Sequence, residues 1–477
     1  MPSEKTLNAK NLAALGADRL AELLLEFASG DAAAKRRLRL ELASQSGGDD
    51  VAAEVRKRLA TIAKSKSFVD WHKVRALAKD LEAQRTAIMK HVAPTKPSDA
   101  LDLLWCLLEI APSIYERCDD SNGTIGDVMD EVLENLGEVA KSAKLSAEKL
   151  AERVFVSVWA NDYAQFDGLI EEIAEALGKD GLGLLKRKFE TLAGTPPVKP
   201  KGQERRVLAI SSRGTIYEDD YAGDRHARLV RSALTQIADA LGDVDGYAAR
   251  FSDAEQANPA IAADIAERLL NAGRAPEALM ALSKADPDAG RGRRWPDWER
   301  VRIHALEAMG RSPDAQTERW AIFERDLNAD YLRAYLKGLP DFDDEDAETR
   351  AIAHAGGYAG FHQALAFLIE WPTHDAAAAL ILTRRGELDG DHYELLTPAA
   401  DALDQRHPLA ATLMLRAMID FALDKARSKR YGHAARHLKT CEYLSERIDD
   451  WGGHPDHDAW VADLRLRHGR KTAFWDA

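Results

Sequence analysis

Cysteine is scarce: the 477 residues hold Cys106, Cys118 and Cys441 and no other. Three scattered thiols make neither a disulfide framework nor a four-thiolate zinc site, and they fit a reducing compartment. Long apolar runs are missing too. LDLLWCLLEIA, from Leu101, is too short to span a bilayer and contains Asp102 and Glu109. Met1–Lys10 is polar, with no apolar leader after it. The expectation is a soluble, cytoplasmic protein with no membrane partner. Runs of Val, Ile and Thr are nearly absent, which leaves little material for sheets. The chain also lacks a GxSxG elbow, a GxxxxGK[ST] phosphate loop and a GxGxxG turn after a strand. GKDGLGLL at 178–185 is glycine-rich, but it follows a helical pattern and reads as a C-cap and turn. Ser211 and Ser212 have no assignable base. Paired carboxylates such as Asp343-Asp344 carry no specificity among 79 acidic residues. No catalytic residue and no cofactor-binding loop stand out, and the chain reads as leaning away from an enzyme.

What is present favours helix. Ala, Leu, Arg, Glu and Asp dominate, and an apolar fraction of 45% can build a sizeable core. Net charge is -14, unevenly spread. Residues 1–100 carry 18 Lys/Arg against 13 Asp/Glu, whereas the remainder is strongly acidic. An acidic body argues against broad nucleic-acid binding, because phosphate contacts need a basic face. Lys35, Arg36, Arg37 and Arg39, with Arg56, Lys57 and Arg58, concentrate the opposite charge on two early helices. These helices could touch an anionic partner or simply be solvated.

The stretch PAIAADIAERLL-NAGR-APEALMAL, 259–282, organises the second half. Its spacing predicts two helices around a tight Asn-Ala-Gly-Arg turn. A pair this short cannot bury its own apolar faces, so similar pairs must stack on it. Before it, 7–30 reads as one amphipathic helix with Leu20, Leu23, Leu24 and Phe27 on one face. Residues 68–92 read as another, with Phe68 and Trp71 at the head of its stripe. CDDSNGTIGDVM matches a calcium loop in part, but Cys118 and Met129 stand where an aspartate and a glutamate belong. A turn at Asn122-Gly123 followed by a helix start is the better reading. Tyr163 and Phe166 should plug a helix junction. GTPPVKPKGQERR marks the domain boundary. The expected organisation is a helical domain over 1–194, a Pro/Gly-rich linker and loop over 195–225, and a helical-repeat domain over 226–477. Joints after Arg274 fall at intervals of about 37, 60, 35 and 23 residues, a degenerate version of a ~34-residue repeat.

GRAPEAL at 273–279 and the helix–Gly-Arg–helix near 310 resemble tetratricopeptide-type repeats over roughly 226–446. That resemblance implies an all-α, solenoid-like fold presenting a groove to protein partners. The whole chain is also similar to an uncharacterised bacterial family of long helical proteins. The carrying stretches include FVDWHKVRALAKDLEAQR, NDYAQFDGLI, YGHAARHL and RHGRKTAFW. Some members of that family are labelled SWIM zinc-finger proteins, yet the paired cysteines and Cys-x-His of that motif are absent here.

Ten of the 14 histidines lie after residue 350. His433, His437 and Cys441 follow at i, i+4, i+8 on a predicted helix, and an i, i+4 pair can grip one zinc ion. His454 and His457 could fold back to complete such a site; the alternative is that these side chains bridge helix faces. The aromatic tail at Phe474 and Trp475 should pack back on the last helices. The sequence therefore points first to a non-enzymatic interaction scaffold with an unidentified protein partner, for which the acidic body favours a basic surface. The alternatives are a metal-binding protein using His433 and His437, or nucleic-acid contact through the basic N-terminal helices.

Overall fold

The computed structural model describes residues 6–195, 206–211, 214–287 and 294–477. Its described residues divide into two compact units, Met1–Ile261 and Ala262–Ala477. Both are built of helices. The one sheet among the described residues is a two-stranded antiparallel hairpin, β1 (Val207–Ser211) and β2 (Gly214–Tyr217). Residues 196–205, the Pro/Gly-rich centre of the expected linker, lie outside the described residues.

The first unit begins with α1 (Ala9–Ala13), α2 (Ala17–Ala28), α3 (Ala32–Ser46) and α4 (Gly48–Lys64). The single helix expected over 7–30 is broken at Gly16, whose φ of 83° no helix accommodates. Phe27, expected in its buried stripe, is exposed. Next come α5 (Trp71–Ala87), one π turn (Ile88–Val92), α6 (Pro97–Glu109) and α7 (Ala111–Tyr115). Phe68 and Trp71 are also exposed, because α5 starts only at Trp71. Val69, just ahead of it, bridges to Cys118 instead. The core is built by α8 (Thr124–Ala143), α9 (Ala147–Trp159) and α10 (Leu169–Ala193), with α6 packed on α8. The left-handed Gly123 and the Asp120 carboxylate, which accepts from the N–H groups of Ile125 and Gly126, start α8 as a turn followed by a helix. At the α8–α10 crossing a Cβ on Gly137 would lie 2.5 Å from the Glu172 carbonyl, so only glycine permits that approach. Trp105 is fully buried and donates to Ser157 at 2.8 Å. Phe166 plugs its junction, whereas Tyr163 stays half outside, stacked on Tyr115. Gly178 kinks α10. The unit continues with α11 (Glu218–Leu241), α12 (Val244–Ala248) and α13 (Asp253–Gln256). α11 packs against α10, and α14 (Pro259–Asn271) begins where the unit ends.

The second unit stacks helix on neighbouring helix. After α14 come α15 (Ala275–Ser283), α16 (Pro296–Ala308) and α17 (Ser312–Asp326). α14 closes with the Arg274 N–H on the Leu269 carbonyl and the Gly273 N–H on that of Leu270. The chain repeats this at Arg311 on Leu306 and Gly310 on Glu307. Both glycines are left-handed, with φ of 75° and 70°, and the double bond satisfies carbonyls the helix leaves open. Each arginine then pairs with an acid three residues on, Glu277 or Asp314. GRAPEA and GRSPDA are thus one structural joint used twice.

α18 (Ala329–Lys337), α19 (Asp343–Gly357), α20 (Phe361–Glu370) and α21 (His374–Thr383) follow. Two of these joints are invisible to a glycine search, because Leu327 and Phe342 themselves take the left-handed conformation. That is why the sequence shows an unbroken interval of about 60 residues here. Last come α22 (Tyr393–Leu403), α23 (Pro408–Asp424), α24 (Tyr431–Ser445), α25 (His457–His468) and α26 (Thr472–Trp475). Phe474 is buried against Tyr431, so the aromatic tail does pack back. No helix among the described residues is long and apolar enough to cross a membrane.

Just ahead of α22, a Cβ on Gly390 would lie 2.0 Å from the Ala417 carbonyl and 2.8 Å from Phe421 Cβ. Gly390→Ala should therefore cost about 1–3 kcal/mol by forcing α22 off α23. Gly356→Ala, inside α19 with open space around it, should gain about 0.5–1 kcal/mol. Urea unfolding of the two variants checks both signs.

Candidate functional site: a groove lined by three helices

In the second unit, α22, α23 and α24 enclose a groove of about 230 Å³. Its floor is apolar: Met418 and Ala422, one turn apart on α23, face Ala434 of α24. Thr397 closes one side and donates to the Met418 sulfur at 3.5 Å. The rim is cationic and aromatic. Arg430 lies 4.5 Å over the Tyr393 ring and is held by Asp391 at 2.7 Å. Lys429, His433 and His437 complete the wall, and none of the lining residues is a carboxylate. Spacings of three, four and seven put Arg430, His433, Ala434 and His437 on one face of a helix.

Both sequence-predicted metal residues, His433 and His437, thus line one cavity a turn apart. His433 is exposed, and its Nδ1 is 2.8 Å from the Arg436 guanidinium. His437 is half-buried; burial, then the neighbouring His433 and Arg436, holds its pKa below the usual histidine value. The other residues considered with them go elsewhere. Cys441 is fully buried with its thiol toward the Thr412 carbonyl, and burial pushes its pKa up to about 12. His454 contacts Arg385 at 3.1 Å, and His457 lies against Trp460. Among the described residues no three His, Cys, Asp or Glu side chains gather as a metal shell.

Sequence reasoning missed Tyr393, Thr397 and Met418 as site residues. Nothing local marks them, because the groove exists only once three helices pack. It also missed Arg416, a charged residue inside the helical stack. Its guanidinium lies 4.6 Å over Trp451 and 4.7 Å over Trp460 and donates to the Pro455 carbonyl at 2.8 Å. The chemistry on offer in the groove is recognition: an apolar floor for one side chain, and cations for a negative group beside it.

Four histidines of this unit share one electrostatic feature. Burial is the first cause that lowers the pKa of His362, His437, His454 and His457. A lowered pKa means the fold prefers the neutral ring, while the unfolded chain takes up the proton more readily. Stability from these groups is therefore present above about pH 6.5 and is lost as pH falls below it. Urea midpoints should drop between pH 7 and pH 5, and His437→Gln should flatten part of that slope.

A family described as "Family of unknown function (DUF6880)" matches residues 2–477. No curated protein matches the chain. Among solved structures, a "circular tandem repeat protein with novel repeat topology and enhanced subunit contact surfaces" aligns over 94% of this chain and 90% of its own, at 12% identity and a TM-score of 0.13. The family match runs through both units, and on it the chain belongs to the DUF6880 family.

Proposed function

We propose that the protein is a non-enzymatic interaction scaffold whose second unit receives a segment of a partner protein in the α22–α24 groove. One observation carries this reading: an apolar floor from three helices, rimmed by Tyr393, Lys429 and Arg430 and free of carboxylates. Aromatic and arginine side chains around an apolar centre are the composition of protein-binding hot spots. The rim also sets the sign of the partner. A whole-chain charge of -14 favours a basic surface at long range, but the groove itself is cationic. The segment it fits carries one apolar anchor, of leucine or methionine size, next to an aspartate or glutamate.

A metal reading of His433 and His437 has one feature in its favour, their shared wall of the same cavity. Against it stand Lys429, Arg430 and Arg436, whose charges oppose a cation there.

The test uses the full chain purified from its native cell without a histidine tag. Tyr393 is 44% exposed and Lys429 lies on the rim, so Tyr393→Ala with Lys429→Glu should cost no more than the Arg430–Tyr393 contact, about 0.5–1 kcal/mol, and leave the chain folded. The expected result is a stoichiometric partner that cross-links at Lys429 and is lost from this double variant. A partner retained equally by the variant overturns the groove as its seat. Elemental analysis of the same sample separates the readings: one zinc per chain, lost on His437→Ala, would favour the metal site.

A further inference from the structure

The first unit contains a second built cavity, of about 270 Å³, between α3 and α4. Helical spacing explains how the sequence makes it. Lys35, Arg36 and Arg39 fall on one face of α3, and Glu54, Lys57 and Arg58 on one face of α4. Five cations therefore line a space whose lining offers one carboxylate.

Beneath them lies Asp80, almost wholly buried and already saturated. It accepts from Arg58 at 3.0 and 2.5 Å and from Gln84 at 3.2 Å, and pairs with Arg36 at 3.1 Å. This clamp fixes both guanidiniums as part of the pocket wall but neutralises only one unit of charge. Glu54 reaches Lys57 only at 4.0 Å. Lys35 and Arg39 have no ion pair among the described residues. The Arg36 Nε–H is also buried with no hydrogen-bond partner. The two clamped guanidiniums with Lys35, Arg39 and Lys57 form a cationic lining whose mutual repulsion an anion in the cavity relieves.

We propose that this pocket binds a compact small molecule carrying two phosphoryl groups on a non-aromatic body. The excess of about three positive charges suits two phosphoryl groups better than one. No aromatic ring lines the cavity for a base to stack on, which favours a non-aromatic body over a nucleotide. Arg36 and Arg58 present fixed N–H forks to one phosphoryl group, while Lys35, Arg39 and Lys57 close on the other from the rim.

The test is titration calorimetry on the full chain at low salt, with inorganic pyrophosphate and a hexose bisphosphate as probes. Inorganic phosphate and a single-stranded RNA oligomer serve as comparisons. One saturable site for either probe, tighter than for inorganic phosphate, is expected. Lys35→Ala with Lys57→Ala should weaken it roughly tenfold or more, since each removes a charge-assisted contact. Both side chains are exposed, so the unliganded melting temperature should not move; if it does, Lys57→Met alone replaces the pair. Absence of saturable binding up to about 1 mM, where affinity falls to a non-specific level, overturns the proposal. So does affinity that the variants leave intact, or RNA binding tighter than either probe.

Discussion

The constraint on which the second unit depends is the need to reverse the chain at the end of every short helix. A helix such as α15, Ala275–Ser283, cannot bury its apolar face alone, so it must lie against its neighbours. At several joints the reversal passes through one residue in the left-handed region, where a side chain costs about 1–2 kcal/mol. Gly273 and Gly310 carry no such cost, whereas Leu327, Phe342 and Ala426 bear it. Those three persist because hydrogen bonds within each turn hold them. At Ala426 the Arg427 N–H reaches the Ala422 carbonyl, and the Ala426 N–H that of Leu423, the same double bond as at the glycine joints. The turn after α23 thereby delivers Lys429 and Arg430 to the groove. The joint that builds the stack also builds the site.

Buried cations are the second organising feature. Arg416 is almost wholly inaccessible, and burial holds its pKa below the usual value. Two indole faces and one carbonyl surround it, with no carboxylate in ion-pair reach among the described residues. Cation–π contacts of this kind are worth about 2 kcal/mol or more when desolvated, enough to offset part of what burying a charge costs. Arg416 comes from α23, while Trp451, Pro455 and Trp460 belong to the segment leading into α25 and to α25 itself. The guanidinium therefore ties the last helices to the middle of the unit. The same cation sits beside His454 and His457 and reinforces their preference for the neutral ring.

The range of each interaction decides how much of this is legible in the sequence. The all-α class, the α14–α15 turn, the start of α8 and the packed tail rest on local signals: period, caps, and glycine followed by arginine. Exposure is harder to read. Phe68, Trp71 and Phe27 have the spacing of a core stripe, but an apolar stripe is buried only if something packs on it. The joints at Leu327 and Phe342 carry no glycine and so no signal. That His433 and His437 share a helix face can be read from the chain, because i, i+4 is a local relation. The residues facing them, Tyr393 and Met418, come from two other helices and cannot be paired by spacing. The same limit hides Asp80: nothing near it in the chain announces that Arg36 and Arg58 converge on it.

Charge shows the limit most clearly, since a whole-chain total is a poor guide to what a site selects. The protein carries a net charge of -14, yet the groove and the pocket are both cationic. Salt resolves the contradiction. At physiological ionic strength the screening length is about 8 Å, so a ligand in either cavity feels the lysines and arginines around it far more than distant surface carboxylates. The groove's cations stand within the acidic part of the chain, whereas the pocket lies within residues 1–100, where 18 Lys/Arg face 13 Asp/Glu. In both, the sign of the group a cavity would select follows from the side chains that line it and not from the whole-chain total.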